Sequence, residues 1–312
     1  VIRLSEDLRG LLSQLPDMDA EELIEAAHRP LPESIRLNTL KANENNLRRL
    51  LESRGWRLHP LPWARHCYLV DHAPSTDLGA TLEHMLGLIY IQGPVSMLPV
   101  EVLDPQPGDL VLDLCAAPGG KSTQIAQLLQ MRGVLVANDV SRKRLKALAY
   151  NIQRWQAANS IVTLADGRLY HRWASEAFDR VLVDAPCSSL GIASKDWSVL
   201  SKYRGGLTRR LVRLQLALLE SGYRCLRLGG ALVYATCTIH PLENEGVVSA
   251  FLERHPEARL MDVRPTGLRA RRALEVFGGE SFSTELSRCF KCYPYDNMGE
   301  GFFVAKIVRG EA

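Results

Sequence analysis

Two cysteines in this 312-residue chain stand where a thiol could react. Cys187 lies in DAPCSSLG and Cys237 in YATCTIHPLENE, each following an apolar run that reads as a buried strand. A cysteine in a long chain is most often an inert buried side chain, and Cys67 and Cys225 are read that way. A thiol at a strand end, among polar residues, suits covalent catalysis by its thiolate. His240 and Asn244 near Cys237 could complete a cysteine hydrolase, but that reading leaves a glycine-rich turn and a series of aspartates unexplained.

The glycine-rich turn is DLCAAPGGKS, residues 113–122. Its small residues, with Pro118, Gly119 and Gly120, let a ligand approach the backbone before a helix opens near Lys121. A phosphate-binding P-loop would need glycine at Cys115, and the dinucleotide fingerprint G-x-G-x-x-G is absent. A nucleoside without a phosphate chain fits better. Asp139 and Asp166 follow the next two apolar runs. Each alone is commonly a helix cap or turn residue; together they suit an adenosine, Asp139 accepting from the ribose hydroxyls and Asp166 meeting the adenine edge.

These residues need elements to hold them. DLVLDLC, GVLVAND, SIVTLAD, DRVLVDAP and GALVYAT are Val- and Leu-rich runs of the kind buried on both faces of a parallel sheet. They alternate with the helical stretches KSTQIAQLLQ, RKRLKALAYNIQRW and RRLVRLQLALLESGYRCL, which predicts helices on both faces and ligands at the carboxyl ends of the strands. Upstream, SEDLRGLLSQL and DAEELIEAAHR carry helical periodicity with Ser5 and Asp19 as caps, SIRLNTL is a short strand, and ENNLRRLLESRGW is a helix stopping at Gly55. The reading is a small α+β domain over residues 1–87 and a larger domain over 88–312.

Composition sets the context. With 46% hydrophobic and 23% charged residues the chain is an ordinary globular protein, and no apolar run is long enough for a transmembrane helix. The opening residues lack the blocks of a signal peptide, and seven cysteines, an odd number, make no disulfide framework. A cytoplasmic monomer with reduced thiols and no membrane partner is expected. Cys289 and Cys292 form one CxxC without two further ligands at compatible spacing, so no metal is expected. The net charge of +3 is too mild to identify a nucleic-acid partner by itself.

DLCAAPGGKS, DAPCSSLG and YATCTIHPLENE, in this order, resemble the signature motifs of the Nop/Sun family of S-adenosylmethionine-dependent RNA cytosine-5 methyltransferases. SIRLNTLK and GFFVAKI resemble that family's flanking motifs. The resemblance implies a seven-stranded, Rossmann-like class I methyltransferase sheet with GFFVAKI as the last, antiparallel strand. It also implies S-adenosylmethionine contacts from Cys115, Ala116, Ala117, Pro118, Gly119, Gly120, Lys121, Asp139, Arg144, Asp166 and Asp184. Cys237, in the Thr-Cys motif, would be the nucleophile that adds to carbon 6 of cytosine, and Cys187, in the Pro-Cys motif, would assist product release. Asp184 suits a contact to nitrogen 3 of a flipped base. Ser189 stands where the family usually has glycine, which predicts a different loop geometry.

The expected macromolecular partner is RNA. Lys195, Lys202, Arg204, Arg209, Arg210 and Arg213 follow DAPCSSLG, and Arg142, Lys143, Arg144 and Lys146 open a helix. Such runs usually mark a solvated face, but nearness to the base pocket favours phosphate contact. Trp197 and Tyr203 could stack on bases. Family likeness gives Arg36, Asn38 and Lys41 an RNA-facing role. AHRPLPESIRLNTLK, GWRLHPLPW and GLIYIQGPVSMLPV look most like the bacterial branch acting on small-subunit ribosomal RNA, with tRNA as the alternative. That branch often carries a C-terminal RNA-binding extension, which is not expected after GFFVAKI. A protein that binds S-adenosylmethionine and RNA without turnover is the alternative from a different class.

Overall fold

The computed structural model describes residues 3–310. Ser5 caps helix α1 (Glu6–Leu12) by accepting from the Leu8 amide, and Asp19 caps α2 (Ala20–His28) by accepting from those of Glu21 and Glu22. Both satisfy donors that a helix start leaves free. Next come β1 (Ser34–Leu37), α3 (Glu44–Ser53), β2 (Arg57–Pro60), β3 (Cys67–His72), α4 (Leu82–Met85) and β4 (Ile89–Ile91). The four strands form an antiparallel sheet of order β2-β3-β1-β4. Leu47 and Leu51 of α3 close its core against Ile35, Leu37, Trp56 and Tyr68.

The remainder runs α5 (Leu98–Leu103), β5 (Leu110–Asp113), α6 (Gly120–Leu128), β6 (Val134–Asn138), α7 (Arg142–Trp155), β7 (Ser160–Thr163) and β8 (Phe178–Asp184). It continues through α8 (Ser198–Lys202), α9 (Thr208–Cys225), β9 (Leu226–Thr236), α10 (Val247–Arg254), β10 (Ala258–Met261), β11 (Val276–Phe277), β12 (Glu280–Ser281), β13 (Phe290–Cys292) and β14 (Phe302–Arg309). The main sheet has the order β10-β14-β9-β8-β5-β6-β7. Strands β5 to β9 are mutually parallel, and β14, the GFFVAKI strand, inserts antiparallel between β9 and β10. Six of these are the runs read from the sequence, β10 makes up the seven that the resemblance implies, and β13 adds an eighth against β14.

Strand periodicity sorts the core into two layers. Val181, Val183, Leu232, Tyr234, Phe303 and Ala305 face α9 and α10, while Leu182, Val233, Ala235, Phe302 and Val304 face α5, α6 and α7. Both faces are therefore covered, as the continuous apolar runs require.

The expected division after residue 87 meets a different packing. Leu8, Leu11, Leu12 and Leu23 of the first two helices belong to the α9–α10 layer of the main sheet. Strand β4, at 89–91, completes the N-terminal sheet from beyond the expected boundary. The two units are joined at Arg36, which is fully buried. It donates to Gln127 Oε1 at 2.6 Å, Thr123 Oγ1 at 2.8 Å and the Gly120 carbonyl at 3.1 Å, and lies 4.5 Å from the Trp155 ring centroid.

Candidate active site

At the carboxyl end of β5 the chain turns through 114–119 into α6. Gly119, at φ +111°, holds a left-handed conformation that disfavours other residues, and a Cβ there would meet Leu148 of α7 at 3.1 Å. Asp139, at the end of β6, braces this turn: Oδ2 accepts from the Ala117 amide at 3.3 Å, and Oδ1 accepts from that of Ser141 at 2.8 Å. Arg144 donates to the Ala117 carbonyl and lies 3.3 Å from Asp139 Oδ2. Asp166 lies three residues beyond the end of β7 and caps the following turn, accepting from the Arg168 amide at 3.0 Å. Hydrogen bonds from the Arg168 side chain hold its carboxyl below the usual range. The turn-residue and ligand readings of Asp166 meet here, because it also lines the cleft.

That cleft, of about 650 Å³, is lined by Cys115, Ala117, Pro118, Asp139, Arg144, Asp166, Asp184, Cys187 and Cys237. Its size suits a small cofactor. It combines acidic acceptors with a backbone-lined turn that Asp139 itself touches, a set that fits the hydroxyls and the cationic centre of S-adenosylmethionine. A second cleft of about 320 Å³ is lined by Tyr90, Gln92, Asp113, Ala116, Gly120, Lys121, Lys195, Glu300 and Phe302. Cys115, Asp184 and Cys237 line both, so the two cavities meet at Cys237, whereas Cys187 lines only the larger one. Gly119 turns toward α7, whereas its neighbours in the motif face one cleft or the other.

Cys187 and Cys237 bring their sulfurs to 3.4 Å. Gly191 permits the crossing beneath them: its amide donates to the Cys237 carbonyl at 2.9 Å, and a Cβ would come within 2.8 Å of that oxygen and 2.2 Å of the Gly301 carbonyl. The pair is electrostatically unequal. The hydrogen bond from Cys187, helped by Lys121 and Ser189, holds the Cys237 thiol below its usual range against burial and Asp184. The same bond, followed by burial, pushes the Cys187 thiol well up. Of the two, Cys237 is the sulfur on which negative charge is favoured and Cys187 the one that keeps its proton more firmly. Lys121 Nζ contacts Asp184 Oδ2 at 2.8 Å, and although burial pulls the ammonium down, Asp184 raises it above its ordinary value. Behind them, burial lifts the Asp113 carboxyl to about 7. Its Oδ2 accepts from Ser122 at 2.7 Å, while Oδ1 has no protein partner.

Ser189 has φ +59°, which is the conformation that glycine adopts without cost. The departure from the family pattern therefore keeps a left-handed loop and adds a hydroxyl 3.8 Å from the Cys237 sulfur. His240 takes no part in a hydrolase pair with Cys237. It is buried, its Nδ1 accepts from the Leu242 amide at 3.2 Å, and burial drops its pKa to about 4. Burial pushes the Cys292 thiol up to about 12 and raises Cys289 as well. Among the described residues no cluster of three or more His, Cys, Asp or Glu could hold a metal, and no helix is long and apolar enough to cross a membrane.

The basic residues divide. Arg36 and Asn38, expected to face RNA, are buried instead; Asn38 donates to the carbonyls of Gly87 at 2.8 Å and Trp155 at 2.9 Å. Lys41 donates to the carbonyls of Leu86 and Arg154. Asn38 and Lys41 join the N-terminal unit to α7 by satisfying backbone carbonyls, and Arg36 joins it to α6 through Gly120, Thr123 and Gln127. Lys195 pairs with the buried Glu300 at the second cleft. Arg204, Arg209, Arg210 and Arg213 are exposed and make no ion pair among the described residues. Arg204 and Arg210 border a cavity of about 460 Å³ that opens on Cys187. Tyr203 is buried, with its hydroxyl 3.0 Å from Thr208 Oγ1, whereas Trp197 is exposed.

The sequence reading missed Tyr90, Gln92, Glu300 and Phe302 as cleft residues. Tyr90, Gln92 and Phe302 lie in YIQG and GFFVAKI, both already singled out as motifs, but no spacing pointed their side chains at Cys237.

Residues 100–308 match the family model of 16S rRNA methyltransferase RsmB/F, and residues 6–94 match that of the N-terminal domain of 16S rRNA methyltransferase RsmF. The chain is 39% identical over 289 residues to the tRNA (cytosine(49)-C(5))-methyltransferase of Pyrococcus abyssi, covering 93% of this chain and 92% of that one. It is 38% identical over 299 residues to the ribosomal RNA small subunit methyltransferase F of Erwinia tasmaniensis, covering 94% of this chain but only 60% of that relative's length. The crystal structure of a methyltransferase homolog protein from Pyrococcus horikoshii aligns with a TM-score of 0.87 at 33% identity, covering 99% of this chain and 96% of that one. The strand order, the paired strand-end cysteines and these matches agree: the chain belongs to the 16S rRNA methyltransferase RsmB/F family and has the class I methyltransferase fold.

Proposed function

We propose that this protein transfers a methyl group from S-adenosylmethionine to carbon 5 of a cytosine in RNA, through a covalent adduct with Cys237. The reading rests on the two sulfurs, 3.4 Å apart, of which Cys237 lies where the clefts meet, near Lys121 and Asp184. Carbon 5 of cytosine is a weak nucleophile. Addition of the Cys237 thiolate to carbon 6 forms a carbon–sulfur bond and moves an electron pair toward carbon 5. Asp184 relays a proton to nitrogen 3, which neutralises the charge that the ring gains and is given back on elimination, while the Lys121 ammonium stabilises the anion before that proton arrives. S-adenosylmethionine, when bound, supplies an electrophilic methyl group. Asp139, Asp166, Arg144 and the turn from Cys115 to Lys121 hold it in the larger cleft. A base then takes the proton from carbon 5, the carbon–sulfur bond breaks, and Cys237 leaves as thiolate. The Cys187 S–H stabilises that thiolate by the same hydrogen bond that favours it in the free enzyme.

The substrate we propose is small-subunit ribosomal RNA, supported by the two family models and the bacterial relatives. Arg209, Arg210 and their unpaired neighbours offer phosphate contacts leading toward Cys187. A tRNA substrate is the second reading, favoured by the near full-length match to the Pyrococcus abyssi enzyme. Bisulfite sequencing of total RNA from cells with and without the gene separates the two: one ribosomal or tRNA cytosine loses its methyl mark. If no methylcytosine disappears from either class, the proposal is wrong.

A further inference from the structure

Just beyond Cys237, Glu243, Asn244 and Glu245 are three consecutive polar side chains with no exposed surface, and the chemistry above uses none of them. They sit on a π-helical turn, Leu242–Gly246, a rare geometry that recurs at functional sites. Asn244 faces the Cys237 loop. Its Oδ1 accepts from Thr236 Oγ1 at 2.5 Å and its Nδ2 donates to the Thr238 carbonyl at 2.9 Å, so one amide grips the residues on both sides of Cys237. Glu243 faces the Cys187 loop. Its Oε2 accepts from the Ser188 amide at 2.9 Å and from Gln215 Nε2 at 2.8 Å, and Gln215 donates in turn to the Pro186 carbonyl at 2.9 Å. The residues on both sides of Cys187 are thus held as well. The hydroxyls of Ser188 and Thr238, 2.7 Å apart, close the ring between the two loops. Glu245 points elsewhere, to Lys291 at 3.0 Å.

We propose that Asn244 and Glu243 are positioning residues with separate clients: Asn244 sets Cys237 for attack, and Glu243 sets Cys187 for release. The assignment rests on the covalent reading above. Attack at a ring carbon is sensitive to displacement, and a misplacement of about 1 Å can cost on the order of 100-fold in rate. Release depends instead on the Cys187 S–H reaching the departing sulfur. The buried Glu243 carboxylate also disfavours a second negative charge on Cys187, keeping its proton in place. Two neighbours in sequence therefore govern opposite ends of one reaction.

The test uses the full chain, S-adenosylmethionine and transcripts of small-subunit ribosomal RNA and of tRNA, made with either cytidine or 5-fluorocytidine. After methyl transfer to a fluorinated ring, carbon 5 carries no proton to remove, so the adduct persists and its rate of appearance on denaturing gels reports attack and transfer alone. Asn244→Ala should slow this trapping on the order of 10–100-fold, and Thr236→Val should reproduce the effect. Glu243→Gln should trap at nearly the wild-type rate yet accumulate adduct on ordinary cytidine RNA, as Cys187→Ala is expected to, and Gln215→Leu should follow it. Thermal unfolding of each variant establishes that it is folded, and the Thr236 and Gln215 variants carry the test if a turn variant is not. Identical defects in both turn variants, or wild-type behaviour in both, would overturn the assignment. If wild type is not trapped on fluorinated RNA and Cys187→Ala forms no adduct, the covalent reading itself falls and takes the assignment with it.

Discussion

Replacing Cys187 with alanine removes the strongest influence on the Cys237 thiolate. The two sulfurs are 3.4 Å apart, and the Cys187 S–H is the first of the groups holding Cys237 below its usual range. Burial and Asp184 act the other way, while Lys121 and the Ser189 hydroxyl remain. A hydrogen bond to a charged acceptor contributes about 1.5–3 kcal/mol, which corresponds to about 1–2 pH units. Losing the donor destabilises the thiolate, so the Cys237 pKa rises by that amount and its reactive fraction at neutral pH falls. The assay is alkylation of the RNA-free protein with iodoacetamide over a pH series, with peptide mass spectrometry reporting Cys237 separately. The Cys187→Ala profile should move to higher pH by about 1–2 units. Ser189→Ala should move it less, because that hydroxyl lies 3.8 Å from the sulfur. An unchanged midpoint, or one that falls, would refute the division into thiolate and thiol. The variant also joins two observables: it should attack more slowly at neutral pH and still accumulate adduct, since release loses the same hydrogen bond.

Lys121→Met removes a cation that favours the Cys237 thiolate and leaves Asp184 unpaired, so the acidic limb of the pH–rate profile should shift upward by about one unit; a shift downward would contradict the charge assignment. Arg36→Met should destabilise the protein by about 2–4 kcal/mol in denaturant unfolding, because it leaves buried acceptors on Gln127 and Thr123 without their donor. The salt dependence of RNA binding by the folded variant should stay unchanged, and a flattened slope would restore the RNA-facing role. Neutralising Arg209, Arg210 and Arg213 together should lower the slope of log affinity against log salt by about 0.7–0.9 for each phosphate that the protein no longer neutralises. An unaltered slope would make them an ordinary solvated helix face.

The main sheet was legible because its strands are buried on both faces. Val and Leu runs such as DRVLVDAP announce themselves without any partner, and their ends place Asp113, Asp139, Asp184, Cys187 and Cys237 on one rim. Strand β13 was not legible. It is three residues long, and its pairing with β14 is a tertiary contact for which FKC carries no periodic signal. The domain boundary also depended on tertiary packing. The amphipathic pattern of α1 and α2 shows that each has an apolar face, but nothing local says that the face lies against α9 and α10 rather than the nearby N-terminal strands.

The same limit explains the error at Arg36 and Asn38. Family likeness pointed Arg36 and Asn38 at RNA, and nothing local opposed it, because a charged side chain is rarely buried without partners. Here the partners come from about 50 to 120 residues away: Gly87, Gly120, Thr123, Gln127 and Trp155. Burial is acceptable only because all of them converge, and the guanidinium stacks over Trp155 at 4.5 Å. Around the cysteines, by contrast, much of the chemistry is local. Thr236, Thr238, Glu243 and Asn244 lie within one nine-residue span of YATCTIHPLENE, so a strand end, a turn and its polar clamps arrive together. What the motif does not reveal is which cysteine loop each clamp holds. That choice depends on Ser188 and Gln215, brought in by β8 and α9. The polar residues beyond Cys237 hold both cysteine loops by hydrogen bonds, because the turn that carries them lies between the two and reaches each at once.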